Sequence, residues 1–519
     1  MRPLVSVRNL WFNTFVGSAA LRACSNFIAG QFTESATATF VTDDPSTGQP
    51  LCTAPVSTAE ESKQAVVSAR AAFEDGAWSR TTPASRASVL VALAEAMESR
   101  FSELEADLVA DTGCTIRVTS MLQVGGALAH LRDFAEMAPL LAAPQAFPIS
   151  ELNGFGQSEV YREPHGVVAA FTPYNFPLLV LIWKVAPALL AGNTVVVKPS
   201  PLTPLGAQAF AEACQTAGLP PGVVNVVHGD AAVGQALAAD PGVDLITFTG
   251  STAVGVALMK TAAATTKPVL LEMGGKSPSI LLDDADVELA TRGTLFACML
   301  NSGQVCAGTT RMLVPRRLYR DVCDLLKERV APMKVGPADS EESDVGPLIS
   351  QAHRDRVLAH ITGAVQQGAT LATGGTIPEG LPPGYYVEPT VLVDVDPRMP
   401  VAQEEIFGPV LSVIPYDSVG DAVRIANGTR YGLAASVWSS DLSRARDVAR
   451  RVQSGTVWIN DFGVADVTRT PFGGRKQSGL GAEFGVEGLF AYTQPKSVYT
   501  ALDVDVDKRG YSVVSLGWD

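Results

Sequence analysis

The sequence predicts an α/β protein, with an open parallel sheet in one domain and a second α/β unit after it. Three observations carry this. Five short β-branched runs, at residues 167–172, 194–198, 223–227, 245–249 and 269–272, alternate with helical stretches. Most of their positions are apolar without a break, as in strands covered on both faces, and this points to parallel pairing. The chain has 519 residues, more than one core holds, so two or three domains are expected.

In chain order, the first 33 residues hold Arg2, Arg8 and Arg22 and no acid. That is a weak likeness to a targeting leader, without the long apolar core of one. Residues 1–26 are expected to be an extension. Residues 46–50 (STGQP) read as a turn between two extended segments. Thr58 and Glu61 make a capping-box pattern opening a helix that carries Ala65, Ala69 and Phe73. Leu90, Leu93, Met97, Phe101, Leu104 and Leu108 recur every three or four residues, which predicts one long helix ended by Thr112 and Gly113. Residues 139–153 look loop-like, and 158–163 alternate as a short strand does. Between the parallel runs, residues 207–217 form a helix closed by Gly218, Pro220 and Pro221. A second α/β block starts at Lys276, with strand-like runs at 411–414 and 456–460 and a Gly/Pro-rich break at 378–385. Beyond Tyr492 the chain alternates again, then ends in a tail at 503–519.

Composition narrows the function. The chain is 47% hydrophobic and 18% charged, ordinary for a globular enzyme. It has 39 basic and 53 acidic residues, net −14, a balance that attracts neither nucleic acid nor anionic lipid. No apolar run reaches the ~18 residues of a membrane span. Seven cysteines, at 24, 52, 114, 214, 298, 306 and 323, are odd in number and unclustered. That argues against a disulfide framework and for a reducing compartment, so a cytoplasmic protein is expected. His130, His165, His228, His353 and His360 show no zinc-type spacing, and no metal is expected.

Cys306 lies in NSGQVCAG, a loop between a helical run at 289–300 and a β-rich run at 309–314. Small neighbours leave its sulfur approachable, although most free cysteines are small buried hydrophobes. FTGSTAVG (248–255) follows a strand and opens a helix, the context of a phosphate-binding turn, with Thr252 where the dinucleotide fingerprint has a glycine. Lys198 closes a strand at the sheet crest, within reach of a ribose or phosphate. In TPYNFP (172–177) prolines on both sides hold Asn175, whose amide suits an oxyanion. In LEMGGK (271–276) Glu272 stands at a strand end, either a general base toward water or a solvent-facing acid. No Cys–His pair can be placed, so Cys306 needs activation by backbone dipoles or a bound cation.

Taken together, these motifs resemble the aldehyde dehydrogenase superfamily. The likeness runs from about Phe27 (FIAGQF) to Val498. It includes TPYNFP, VVVKPS, FTGSTAVG, LEMGGKSP, NSGQVCAG, EEIFGPV (404–410) and PFGGRKQSG (471–479) in the family's order. The resemblance implies a Rossmann-like NAD(P) domain (27–143 and 164–275), a catalytic domain (276–487) and a β arm for homodimers or homotetramers (144–163 and 488–519, with the tail). It implies catalytic roles for Cys306, Glu272, Asn175 and Lys198. The implied cofactor site is Thr172, Pro173, Tyr174, Lys198, Ser200, Gly229, Phe248, Gly250, Ser251, Val254, Met273, Gly274, Glu405 and Phe407. Val180, Trp183, Val305, Ala465 and Phe472 would line the substrate tunnel.

The chain departs from the family in places. Pro201 stands where NAD-preferring members often carry a glutamate, which leaves NAD or NADP open. Tyr174 replaces a common tryptophan. Gly481-Ala482-Glu483 replaces Gly-Arg-Glu, which puts a local ion pair in doubt. The tunnel positions are apolar or aromatic, so an uncharged aliphatic or aromatic aldehyde is favoured, although Arg469 lies nearby. Two alternatives stay open: a CoA-acylating dehydrogenase, against which Glu272 speaks, and a cofactor-independent cysteine esterase or hydrolase, against which FTGSTAVG speaks.

Overall fold

A computed structural model of the chain describes residues 21–33, 38–151, 155–463, 468–505, 508, 509 and 511. The β-branched runs form the parallel centre of an eight-stranded sheet. Its order across the sheet is Val269–Glu272, Leu245–Thr249, Val167–Phe171, Thr194–Lys198 and Val224–Val226. The chain leaves Val167–Phe171 in one direction and later returns to its other side at Leu245–Thr249. The crevice where strand order reverses is where such sheets hold ligands. Antiparallel strands close both edges: Asn26–Ile28 with Gln31–Thr33 at one, Gly479–Leu480 at the other. Gly479–Leu480 comes from the far end of the second block, so the chain crosses back over the crevice.

The second block is a seven-stranded sheet, parallel except at its edge strand Thr370–Thr373. Its centre is Val410–Tyr416, Arg311–Pro315 and Pro278–Leu281, every residue buried except Pro415. Against the strands Val167–Phe171 and Thr194–Lys198 of the first sheet packs the helix Pro177–Ala191, buried at every position but Trp183. A helix apolar on all sides belongs in a core, and its one charge, Lys184, is therefore conspicuous.

The capping box forms as expected. Thr58 N–H donates to the Glu61 carboxylate at 2.7 Å, and Glu61 N–H to Thr58 Oγ1 at 3.1 Å. The single helix expected across Leu90 to Leu108 is instead two, Pro83–Glu98 and Phe101–Thr112. Arg100 leaves helical geometry (φ −115°, ψ 23°) and pairs with Glu103 at 2.7 Å and Glu212 at 2.6 Å. The apolar spacing continues in phase across the break, which hides it in the sequence.

Arg22–Ala23, inside the stretch expected as an extension, pairs with Gln49–Pro55. That pairing puts the Cys24 and Cys52 sulfurs 3.4 Å apart, a neighbourhood their spacing in the chain does not reveal. Residues 1–20 lie outside the described residues. Thr493–Ala501 pairs along its length with Gly156–Pro164, and Gln145–Ala146 adds a third strand to this separate sheet. Among the described residues no helix is long and apolar enough to cross a membrane.

Candidate active site

Cys306 stands on the loop between a tight turn at Leu300–Gly303 and the strand Arg311–Pro315. Asn301 and Ser302 are both left-handed (φ 48° and 57°), a strain that persists only where surroundings fix it. Buried amides do the fixing. Asn175 Nδ2 donates to the Gln304 carbonyl at 2.8 Å, and Asn301 Nδ2 to the Asn175 carbonyl at 2.9 Å. Gln304 Oε1 accepts from Ile349 N–H at 3.0 Å. One N–H of Asn175 is thereby used, and the second remains for the cleft. Cys306 is half-buried and lines that cleft. Burial, then the charges of Glu405 and Glu272, push its thiol up to about 12, although the Ala307 N–H pulls the other way. Backbone dipoles alone therefore leave the resting group a thiol.

Glu272 ends its strand at 5% exposure, so it is not a solvent-facing acid. Burial and the charge of Glu483 hold its carboxyl well above the usual range, opposed by Lys184 and the Gly474 N–H. Its Oε2 has no partner among the described residues. Behind it, Lys184 Nζ meets Glu483 Oε1 at 2.5 Å with both side chains buried, and Lys184 also donates to Thr247 Oγ1 at 3.3 Å. Beside the position where the arginine is missing, Glu483 is thus paired with a lysine from the helix Pro177–Ala191. Lys184 had one signal in the sequence, a single charge in an apolar helix.

Cys306, Glu272 and Asn175 share one cleft of about 1260 Å³. Thr172, Pro173, Tyr174, Lys198, Ser200, Phe248, Gly250, Ser251, Val254, Met273, Gly274, Glu405 and Phe407 line it too. Gly229 does not. It turns the chain ahead of Ala231–Ala239, facing Val233, and its neighbours Asp230 and Ala231 reach the wall instead. The helix Thr252–Ala263 presents more than its N-terminus: Ala253, Val254, Ala257, Leu258 and Thr261 make a whole face of the wall.

This half of the cleft fits a dinucleotide. A Cβ at Gly250 would meet the Phe248 ring, and one at Gly274 would occupy the place of the Glu405 carboxyl. Thr172 and Thr249 hold buried hydroxyls without partners among the described residues. Lys198 Nζ donates to the Pro199 carbonyl at 3.0 Å and keeps two N–H groups. Burial lowers its pKa to about 8 against the charge of Asp230. Glu405 Oε1 accepts from Gly275 N–H at 3.2 Å, while burial raises its carboxyl to about 7. Phe407 is left-handed (φ 61°) and its carbonyl is held by His353 Nε2 at 2.6 Å. His353 is thus a positioning residue that no sequence pattern indicated.

On the substrate side, Val180, Trp183, Val305 and Phe472 line the cleft together with Phe176, Trp458, Phe462 and Phe484. Ala465 lies outside the described residues. Arg469 is exposed and takes no part in the wall.

Comparison with known proteins agrees with this geometry. The model of the aldehyde dehydrogenase family matches residues 32–498. The chain is 42% identical to geranial dehydrogenase of Castellaniella defragrans, over 85% of this chain and 91% of that one. It is 40% identical to 2-hydroxymuconic semialdehyde dehydrogenase of a Pseudomonas species, over 93% of this chain and 100% of that one. Among solved structures, an aldehyde dehydrogenase of Mycobacterium tuberculosis complexed with NAD+ superposes with a TM-score of 0.89 at 40% identity, covering 93% of this chain and 99% of that one. The chain belongs to the aldehyde dehydrogenase family, whose members oxidise aldehydes to carboxylic acids with NAD(P).

Proposed function

We propose that Cys306 is the nucleophile, Glu272 the base and Asn175 the oxyanion donor in oxidation of an uncharged aliphatic or aromatic aldehyde. The observation that carries this reading is the convergence of these three groups on one cleft, beside a wall of Phe176, Val180, Trp183, Val305, Trp458, Phe462 and Phe472. Glu272 takes the Cys306 proton. The thiolate sulfur bonds to the aldehyde carbon, and the carbonyl electron pair moves to oxygen. Asn175 Nδ2 and the Cys306 backbone N–H, which has no acceptor among the described residues, hold that oxygen. Bound NAD(P)+ supplies the hydride acceptor, and its positive ring favours the thiolate. Loss of hydride from the tetrahedral carbon restores the C=O bond and leaves a thioester on Cys306. Glu272 releases the first proton to solvent and, ionised again, deprotonates water. Water oxygen attacks, the C–S bond breaks and the acid leaves. Beyond burial, the Glu483 charge raises the Glu272 carboxyl and Lys184 opposes it, so this pair bears on how readily Glu272 holds a proton.

Thr172, Pro173, Tyr174, Lys198, Ser200, Glu405 and Phe407 are assigned to the cofactor, with NAD or NADP left to Pro201. The arm sheet exposes Phe147, Ile149, Val498 and Tyr499 and is assigned to a homodimer or homotetramer. A cytoplasmic place is in keeping with the acidic composition and the odd cysteine count. The test is an aldehyde panel with NAD and with NADP, read by absorbance of the reduced cofactor. Turnover that requires CoA would favour the acylating reading instead.

A further inference from the structure

The outer wall of the cleft is the π-helical segment Thr119–Gly126, continued by the helix Ala127–Glu136. π turns carry extra residues and concentrate at functional sites. Here the wide turn depends on Gly125, whose Cβ would stand 2.9 Å from the Ser120 carbonyl oxygen. Gly125 and Gly126 leave this wall without side chains one turn before His130. Bare backbone and an imidazole one turn on therefore line the cleft side by side.

That imidazole has a fixed polarity. The Trp183 indole N–H can only donate, and it donates to His130 Nδ1 at 2.7 Å. Burial lowers the His130 pKa to about 4 against the opposing charge of Asp133, so the ring is neutral near pH 7. A neutral imidazole that accepts at Nδ1 carries its proton on Nε2. Among the described residues nothing accepts that proton, and Nε2 is not sealed inside the protein. Phe484 meets the ring edge-on with centroids 5.6 Å apart, and Trp183 lies at 6.0 Å, so the ring is held. The adjoining Met121, Leu122 and Ala129 bring no other polar side chain to this wall.

We propose that His130 is a specificity residue: its Nε2–H donates to a neutral oxygen acceptor that the aldehyde carries away from its carbonyl, where the cleft passes Gly125 and Gly126. The preferred substrates are then aldehydes with a distal ether, carbonyl or hydroxyl oxygen, rather than plain hydrocarbons or distal carboxylates. The assignment rests on reading the cleft as the aldehyde site.

The test uses ω-methoxyalkanals of increasing length against n-alkanals with the same number of chain atoms. An ether oxygen only accepts, and it weakens burial at every length. The ratio of kcat/KM, ether over alkane, is expected to peak at one length, about three- to tenfold above its neighbours, where the oxygen meets His130. His130→Phe should flatten the peak and His130→Gln, which keeps a donor, should restore part of it. A flat ratio in the unaltered enzyme overturns the proposal without any variant. A peak that survives in His130→Phe, with both aldehydes slowed equally, also overturns it and leaves His130 as a support for Trp183 alone. Absence of cofactor reduction with every aldehyde removes the dehydrogenase reading and this one with it.

Discussion

The two ends of the cleft are built by different rules. At the inner end, polar groups crowd together and are tied. Asn175, Asn301 and Gln304 lock the Cys306 loop, and Glu272, Glu483 and Lys184 share a buried space. At the outer end the walls are rings, methylenes and bare backbone, and the polar contact between side chains there is Trp183 to His130. In a dry interior each tied polar group is costly to disturb, so the inner end holds reacting atoms in place. Apolar walls select by shape and volume and not by directed bonds, so under the proposed function the outer end would set which aldehyde fits. Variants at the inner end should alter turnover of every substrate. Variants at the outer end should alter ratios between substrates.

The largest effect tests the inner end directly. Cys306→Ala should abolish aldehyde oxidation while NAD(P) still binds, checked by cofactor titration of the purified variant. Substantial residual turnover would falsify its role as nucleophile. Glu272→Gln comes next, with steady turnover lower by roughly 10²–10⁴-fold. Glutamine cannot accept a proton. A burst of reduced cofactor no larger than the enzyme concentration should precede a slow phase, with an acyl mass left on Cys306. The sign of the pH effect follows from the raised Cys306 thiol. More of it ionises unaided as pH rises, so the burst in this variant should quicken from pH 7 to 10. Steady turnover like that of the unaltered enzyme, without acyl build-up, would remove Glu272 from the mechanism.

Asn175→Ala should lower turnover by roughly 10²-fold, the usual loss for one oxyanion donor. It also frees the Gln304 carbonyl, so the Cys306 loop should loosen, visible as faster amide exchange at residues 301–308. A loss below about threefold would mean that another donor holds the oxyanion. Lys184→Met separates structure from chemistry. It leaves Glu483 buried without its cation, a change that typically costs about 3–5 kcal/mol, read by urea unfolding. Adding Glu483→Leu should recover most of that stability. Failure to recover would place the loss in packing instead of charge.

The sequence made the parallel sheet legible because burial on both faces writes itself as unbroken β-branched runs. Cys306, Asn175 and Glu272 were legible because each sits in a short motif at a strand or loop end. Whether Glu272 faced solvent or the interior was not, since strand ends look alike until the chain crosses above them at Gly473 and Gly474. The Lys184–Glu483 pair spans 299 residues, and no local pattern links two positions so far apart. The helix break at Arg100 was hidden because the apolar spacing keeps its phase. Gly229, given to the cofactor by the resemblance alone, stands just off the wall that its neighbours Asp230 and Ala231 reach. The outer end was the least legible: a π turn and a Trp–His hydrogen bond depend on backbone detail that periodicity does not encode.

The smallest expected effect lies at the cofactor end, where a single exposed position is expected to shift a ratio. Pro201 lines the cleft beside Lys198 and Ser200 and is solvent-exposed. Pro201→Glu would put a carboxylate there. The 2′-hydroxyl of NAD can donate to it in a charge-assisted hydrogen bond, whereas the 2′-phosphate of NADP is repelled. At an exposed site each term is about 1 kcal/mol, so the two together should raise the NAD over NADP ratio of kcat/KM about thirtyfold. Because the repulsion acts through water, the shift should shrink as salt is raised from 10 mM to 500 mM. The hydrogen bond to NAD should persist, so the KM for NAD should change less with salt than the KM for NADP. Proline also fixes the backbone here, and glutamate frees it. Pro201→Gln, which frees the backbone without the charge, is the control. If Pro201→Gln shifts the ratio as far as Pro201→Glu, the backbone sets cofactor choice. If neither shifts it, residue 201 does not face the ribose.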